Sequence, residues 1–316
     1  MSAPTIDRVT VVATGVIGAS WATYFLAQGL EVTATDPAPG AEALLRASIA
    51  THWPAMEAAG LAPGASPDRL RFTTSLEAAV EAAQFVQENG PERLDLKREL
   101  FLRLDAATSA DTILATSSST LTASEIQDSC ARHPERVVLG HPFNPPQLIP
   151  LVEVAGGRAT SAEVVQRTLS FYRAIGKHPI RLRKEVRGHV ANRLQAALWQ
   201  EAFHLVASGV ASVADVDVAI AHGPGLRWAL LGPFLNLHLS GGAGGIGELF
   251  NKPLWQAVEA IWRDLDRVSV DAELAARVVV GVREEISALD PQEMVTRRDA
   301  VLQALLRLKA ETNALP

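Results

Sequence analysis

The sequence predicts an α/β domain built on a mainly parallel sheet, followed by an all-α domain. Three observations carry this. Near the start of the chain, a short apolar, β-branched run leads into a glycine-rich turn, a helix and a second strand. Short apolar runs then alternate with helical segments as far as residue 184. From residue 185 onward the β-branched alternation disappears and helical patterns take over.

Taken in order, residues 8–13 (Arg-Val-Thr-Val-Val-Ala) form the first strand and residues 19–27 continue as a helix. Residues 31–36 (Glu-Val-Thr-Ala-Thr-Asp) form the second strand and complete a βαβ unit. Further strands fit 84–88, 112–116, 137–140, 149–154 and 177–182, with helices between most of them. In the second half, helical patterns cover 187–208, 212–222, 253–266, 271–288 and 290–312, and Ser212 with Asp215 resembles a capping box. The glycine-rich stretch 232–247 reads as a loop close to a ligand or a partner. The expected domains are therefore 1–184 and 185–316, and there is no internal repeat.

A chain of 316 residues is comfortable for two domains, and 48% hydrophobic with 20% charged residues is the balance of an ordinary globular protein. A net charge of −6 argues against nucleic acid or an anionic membrane as the main partner. No apolar stretch of the signal-peptide kind precedes the first strand, and no run is long and apolar enough to span a membrane. Cys130 is the only cysteine, so an internal disulfide is excluded. Together these predict a cytoplasmic, reducing setting.

The first turn reads Ala13-Thr14-Gly15-Val16-Ile17-Gly18. A G-x-G-x-x-G turn between a strand and a helix is the dinucleotide-binding fingerprint of the Rossmann fold. Gly15 lets the backbone approach a pyrophosphate, Gly18 lets the helix pack against the strand, and the helix start presents N–H groups to phosphates. Ala13 departs from the pattern, and its methyl group strains the turn unless φ stays negative. Asp36 ends the second strand at the spacing of the residue that binds the adenine ribose hydroxyls and repels a 2′-phosphate, which predicts NAD rather than NADP. Glu92 and Lys97 follow the strand ending in Gln87-Glu88-Asn89 and also fit the cofactor.

The segment Gly140-His141-Pro142-Phe143-Asn144-Pro145-Pro146 follows a strand. A histidine there suits a general base, since an alcohol cannot lose hydride unless its proton is taken up. Glu153 lies in the apolar strand Leu151-Val152-Glu153-Val154, where a carboxylate is costly unless paired. Pairing with His141 would orient the ring and stabilise the imidazolium. Ser117-Ser118-Ser119 places hydroxyls at the end of another strand, and Asn192 stands early in the first helix of the second half.

These residues resemble the 3-hydroxyacyl-CoA dehydrogenase superfamily over nearly the whole chain, and within it most of all the L-carnitine dehydrogenase branch, whose relatives include the L-gulonate 3-dehydrogenase and λ-crystallin branches. The motifs that carry the resemblance are Gly-His-Pro-Phe-Asn-Pro-Pro, Leu-Val-Glu-Val, Ala-Asn-Arg-Leu and Gly-Pro-Gly-Leu-Arg-Trp-Ala at 223–229. It implies His141 as base, Glu153 as its orienter, Ser119 on the substrate oxygen and Asn192 positioning substrate and nicotinamide. Cofactor contacts at Glu92 and Lys97 are implied too, as is a C-terminal dimerisation domain that builds a homodimer. The sequence departs at Ala13, where the family has its first glycine, and at Thr120, where carnitine-type sequences tend to have glycine.

As to substrate, the chain has no lysine before Lys97, and residues 38–70 hold only Arg46 and Arg69 as bases, which disfavours a polyanionic acyl-CoA. A small zwitterion such as carnitine needs a cation for its carboxylate and an aromatic face for its trimethylammonium. Arg227 fits the first need, and Trp228, Trp199 and Phe143 are candidates for the second. A crystallin-like protein that keeps NAD without catalysis is the non-enzymatic alternative.

Overall fold

The computed structural model describes residues 6–312. The first five residues, part of the stretch read above for a targeting signal, lie outside the described residues. The chain divides into two compact units, Met1–Arg193 and Leu194–Pro316.

The first unit holds eight strands: Arg8–Val12 (β1), Glu31–Thr35 (β2), Leu70–Thr73 (β3), Phe85–Glu88 (β4), Ile113–Thr116 (β5), Val137–Pro142 (β6), Leu151–Gly156 (β7) and His178–Arg181 (β8). They form one sheet in the order β3-β2-β1-β4-β5-β6-β7-β8. Every neighbouring pair is parallel except β6 with β7. The order reverses between β1 and β4, so a crevice opens there at the carboxyl ends of the strands.

The helices of this unit are Val16–Ala27 (α1), Ala41–Ala59 (α2), Leu76–Val80 (α3), Leu94–Ala107 (α4), Ala123–Gln127 (α5) and Ala162–Ala174 (α6). One core cluster joins the sheet to α1, α2 and α6 through Phe25, Leu45, Leu169 and Phe171. Trp21 stacks between Phe25 and Tyr172 within it, at ring separations of 4.9 and 5.7 Å. A second cluster joins the sheet to α3, α4 and α5 through Val80, Phe101, Leu104 and Ile126. The central strands β4, β5 and β6 are buried along their whole length, which is why β5 and the start of β6 read as apolar runs.

One strand escaped the sequence reading. β3 is four residues long, lies at the sheet edge and alternates apolar with polar, a pattern too short to stand out.

The helix Ala191–Ala207 (α7) leads into the second unit, which continues with Val213–Ala221 (α8), Pro224–Trp228 (α9), Pro233–Ser240 (α10), Gly245–Leu249 (α11), Pro253–Asp264 (α12), Ala272–Glu285 (α13) and Pro291–Thr312 (α14). The expected capping box at Ser212 and Asp215 is present. The loop expected over 232–247 is instead largely helical. Pro233 sits in the first turn of α10, where a missing N–H costs nothing, and the glycines cluster only after that helix ends.

The contact boundary after Arg193 differs from the boundary expected at 184, for a clear reason. Residues 185–191 bond back to the sheet domain: Glu185 accepts from the Ser124 N–H at 2.9 Å, Arg187 meets Glu125 at 3.0 Å, and the Val190 and Ala191 N–H groups donate to Glu153.

Candidate active site

The carboxyl ends of β1, β2, β4, β5 and β6 gather the chemistry-bearing residues of the first unit. At β1 the chain enters α1 through the turn 13–18. Ala13 has φ +64°, not the negative φ that a methyl group prefers. Its N–H is held by the Thr35 carbonyl at 2.9 Å. A Cβ on Gly18 would stand 2.0 Å from the Ala13 oxygen, so glycine is required there, whereas a Cβ on Gly15 would project into open space. The Gly15 cap of α1 offers no side chain to the first-turn N–H groups, leaving backbone donors beside that space. Val16 is exposed at the mouth of the turn and Ile17 packs against the core. The Asp36 carboxylate accepts from the Thr14 N–H at 2.8 Å and from the Ala38 N–H at 2.9 Å, which fixes the end of β2 beside the turn. The space over Gly15, the uncapped donors and the adjacent carboxylate fit a pyrophosphate and its ribose.

Beyond β4, Glu88 is fully buried and accepts from Lys97 Nζ at 2.8 and 3.0 Å and from the Thr116 hydroxyl at 2.7 Å. Lys97 also donates to the Gly90 carbonyl at 3.0 Å, so it braces the turn that carries Glu92. One oxygen of Glu92 accepts from the Ser118 hydroxyl at 2.7 Å and from the N–H and hydroxyl of Thr120 at 2.7 and 2.8 Å. Burial opposes the charge on Glu92, but these donors outweigh it and keep its pKa below the ordinary carboxylate value. Glu88 and Ser118 were not singled out from sequence; a buried partner for Lys97 has no spacing signature.

His141 and Glu153 are register partners on the antiparallel pair β6–β7, which puts both side chains on one face. The His141 Nδ1 lies 2.9 Å from Glu153 Oε2, and its Nε2 lies 3.2 Å from Ser119 Oγ. A carboxylate only accepts, so Nδ1 carries the proton and Nε2 presents its lone pair to the Ser119 hydroxyl. Glu153 is fully buried, and its other oxygen accepts from the N–H groups of Val190 and Ala191 at 2.8 and 3.0 Å. Burial pushes its pKa up, but the bonds from His141, Ala191 and Val190 prevail and hold it below 4.5.

Gly140 precedes His141 because a Cβ would come within 2.2 Å of the Tyr172 hydroxyl. That hydroxyl donates to Gln87 at 2.6 Å, and Gln87 donates to Ser117 at 2.7 Å, so the core also anchors the serine run. Phe143 is half-buried just past β6. The loop behind it is held by the buried Lys177, which donates to Ile149 at 3.1 Å and lies 3.6 Å over the Tyr24 ring; burial pushes its pKa down to about 7. Asn192, half-buried, is the second residue of α7. Trp199, Arg227 and Trp228 belong to the second unit: Trp199 lines a hollow of about 160 Å³ with Phe203, Val216 and Val282, and Arg227 and Trp228 are exposed at the end of α9. Among the described residues, no group of His, Cys, Asp and Glu is arranged to hold a metal ion, and no helix is long and apolar enough to cross a membrane.

A doubly wound sheet with a dinucleotide turn at its switch point and a carboxylate-paired histidine on the same edge defines a nicotinamide-dependent dehydrogenase. Residues 8–186 match the profile described as 3-hydroxyacyl-CoA dehydrogenase, NAD binding domain, and residues 188–274 match that of the C-terminal domain of the same family. The chain belongs to the 3-hydroxyacyl-CoA dehydrogenase family, NAD-dependent dehydrogenases of hydroxy acids.

Curated relatives named L-carnitine dehydrogenase include one from Streptomyces griseus, 49% identical over 96% of this chain and 90% of the relative. Another, from Bacillus cereus, is 46% identical over 98% of this chain and 94% of the relative. Among solved structures, an NAD⁺-dependent dismutase described as 5-formyl-3-hydroxy-2-methylpyridine 4-carboxylic acid 5-dehydrogenase superposes with a TM-score of 0.83 at 29% identity, covering 97% of this chain and 99% of that one. The 3-hydroxybutyryl-CoA dehydrogenase of Escherichia coli gives 0.65 at 29% identity, covering 80% of this chain and 54% of that one.

Two predictions follow from the geometry. Ala13→Gly removes a left-handed alanine and should raise the unfolding free energy by about 1 kcal/mol in urea titration; an unchanged or lowered value would show that the turn is unstrained. Because the folded-state pKa of Glu153 lies below 4.5, its bonds stabilise the fold above that pH and lose this contribution as pH falls through the lower folded value. Stability measured from about pH 5 down to about pH 3 should therefore fall more steeply for the parent than for Glu153→Gln, and parallel curves would contradict this.

Proposed function

We propose that the chain oxidises the 3-hydroxyl of L-carnitine to 3-dehydrocarnitine. The observation that carries this is the proton path Ser119–His141–Glu153 on the carboxyl edge of an NAD-binding sheet, in a chain similar over nearly its full length to proteins named L-carnitine dehydrogenase. NAD, when bound, accepts the hydride that leaves C3. Gly15, Val16 and Ile17 at the start of α1 would hold its pyrophosphate, and Asp36 would take the ribose hydroxyls. Glu92, braced by Lys97, lies along the cofactor side of the serine run.

The Ser119 hydroxyl and the His141 Nε2 lone pair hold the substrate hydroxyl between them. As C3 loses hydride, its hydroxyl proton passes to Nε2. Glu153 fixes the tautomer that leaves Nε2 free and stabilises the positive ring that results. Asn192 positions the substrate. Phe143 offers an aromatic face to the trimethylammonium. Gulonate is the second reading, since the same proton path serves any secondary hydroxyl; the absence of lysine before Lys97 weighs against an acyl-CoA.

NADH absorbance with L-carnitine, gulonate and 3-hydroxybutyryl-CoA in parallel tests the substrate. Turnover of carnitine is expected, and turnover of another compound alone would overturn the claim. His141→Asn should lower kcat by roughly two to four powers of ten while NAD binding, read by calorimetry, persists.

The second unit acts as the homodimer interface in this reading. Among its described residues only Leu249 and Leu274 are buried apolar side chains, while Phe234, Leu239, Trp262 and Val301 are all more than half exposed. A helical unit with so small a core needs a second copy over its apolar faces. Sedimentation velocity at micromolar concentration should give twice the chain mass, and a monomer would refute the assignment.

A further inference from the structure

A second imidazole stands beside His141. Among the described residues, His189 and Ala13 are the only non-glycine residues with a left-handed φ, at 52° and 64°. His189 is buried, and its Nε2 lies 2.9 Å from the Ser118 carbonyl oxygen. A carbonyl only accepts, so Nε2 carries the proton and donates. The centroids of the two imidazoles are 4.9 Å apart, with their planes inclined at 53°. The next two residues, Val190 and Ala191, are the ones whose N–H groups hold Glu153. His189 therefore touches both flanks of the proton path: the serine run on one side and the turn around Glu153 on the other.

We propose that His189 is a positioning residue for the base: its Nε2–H holds the Ser118 carbonyl, and through it the Ser119 hydroxyl, against His141, while its left-handed backbone aims two N–H groups at Glu153. The inference rests on the reading of His141 as the base. Histidine meets three demands of this position at once. It tolerates left-handed backbone better than bulky apolar residues do. It supplies a donor to the Ser118 carbonyl. It does so without a fixed charge, where a lysine would place a cation beside the ring that must become positive. Burial, and then the neighbouring His141, hold the His189 pKa below its ordinary value, which keeps the ring neutral when His141 takes a proton.

The test compares His189→Phe, which keeps a ring but no donor, with His189→Gln, which keeps an N–H of similar reach and cannot titrate. NAD-binding stoichiometry by calorimetry normalises every rate to folded protein. His189→Phe should lose roughly ten- to a hundredfold in kcat with the NAD Kd unchanged, and His189→Gln should restore most of the loss. Unchanged kcat in the Phe variant, or an equal loss in both, would overturn the proposal.

Nitrogen-15 imidazole spectra give a readout that needs no turnover. The parent should show two histidines in opposite tautomers, His141 protonated on Nδ1 and His189 on Nε2. The His141 signal should shift in the Phe variant and return in the Gln variant; a His141 signal indifferent to residue 189 would count against the coupling. Failure of the base reading would show separately, as full activity in His141→Asn.

Discussion

A carboxylate buried on the last strand but one of the sheet organises this molecule. Glu153 has no access to solvent, so its charge is tolerable only if both oxygens are fully engaged, because an unpaired buried ion costs several kcal/mol. One oxygen takes the His141 Nδ1–H and the other takes the N–H groups of Val190 and Ala191. The antiparallel turn from β6 to β7 exists in an otherwise parallel sheet, and it is this reversal that sets the two side chains directly opposite one another. The same carboxylate holds residues 190 and 191 onto the sheet, just before the first unit ends and where α7 begins.

A second buried carboxylate does comparable work at the end of β4. Glu88 recruits Lys97 and Thr116, Lys97 closes the Gly90 turn, and that turn presents Glu92 to Ser118 and Thr120. The two networks meet in the serine run: Ser118 belongs to Glu92 through its hydroxyl and to His189 through its carbonyl, and Ser119 belongs to His141. The Glu92 network and the His141–Glu153 pair are thus held by adjacent residues of one loop.

Much of this was legible in the sequence. The turn 13–18 with Asp36, the β-branched central strands and the His141–Glu153 pairing each follow from local rules: glycine spacing, burial that makes a strand read apolar throughout, and the cost of a carboxylate in an apolar run. Helices α8 and α12 were read closely, yet the short helices α9, α10 and α11 between them were not, because proline and glycine composition masked them. β3 was missed because four alternating residues at a sheet edge carry too little pattern.

The tertiary structure alone decided the rest. The positive φ of Ala13, beside the Thr35 carbonyl, shows only in the folded turn. Lys97 faces Glu88, and His189 stands beside His141, because the fold brings a helix and a turn onto the strand ends; a single buried lysine or histidine leaves no periodic trace. Sequence determines the residue types and the local geometry that make hydride chemistry feasible. Which polar group completes which buried charge is settled by long-range packing, since desolvation acts on the assembled neighbourhood and not on any segment alone.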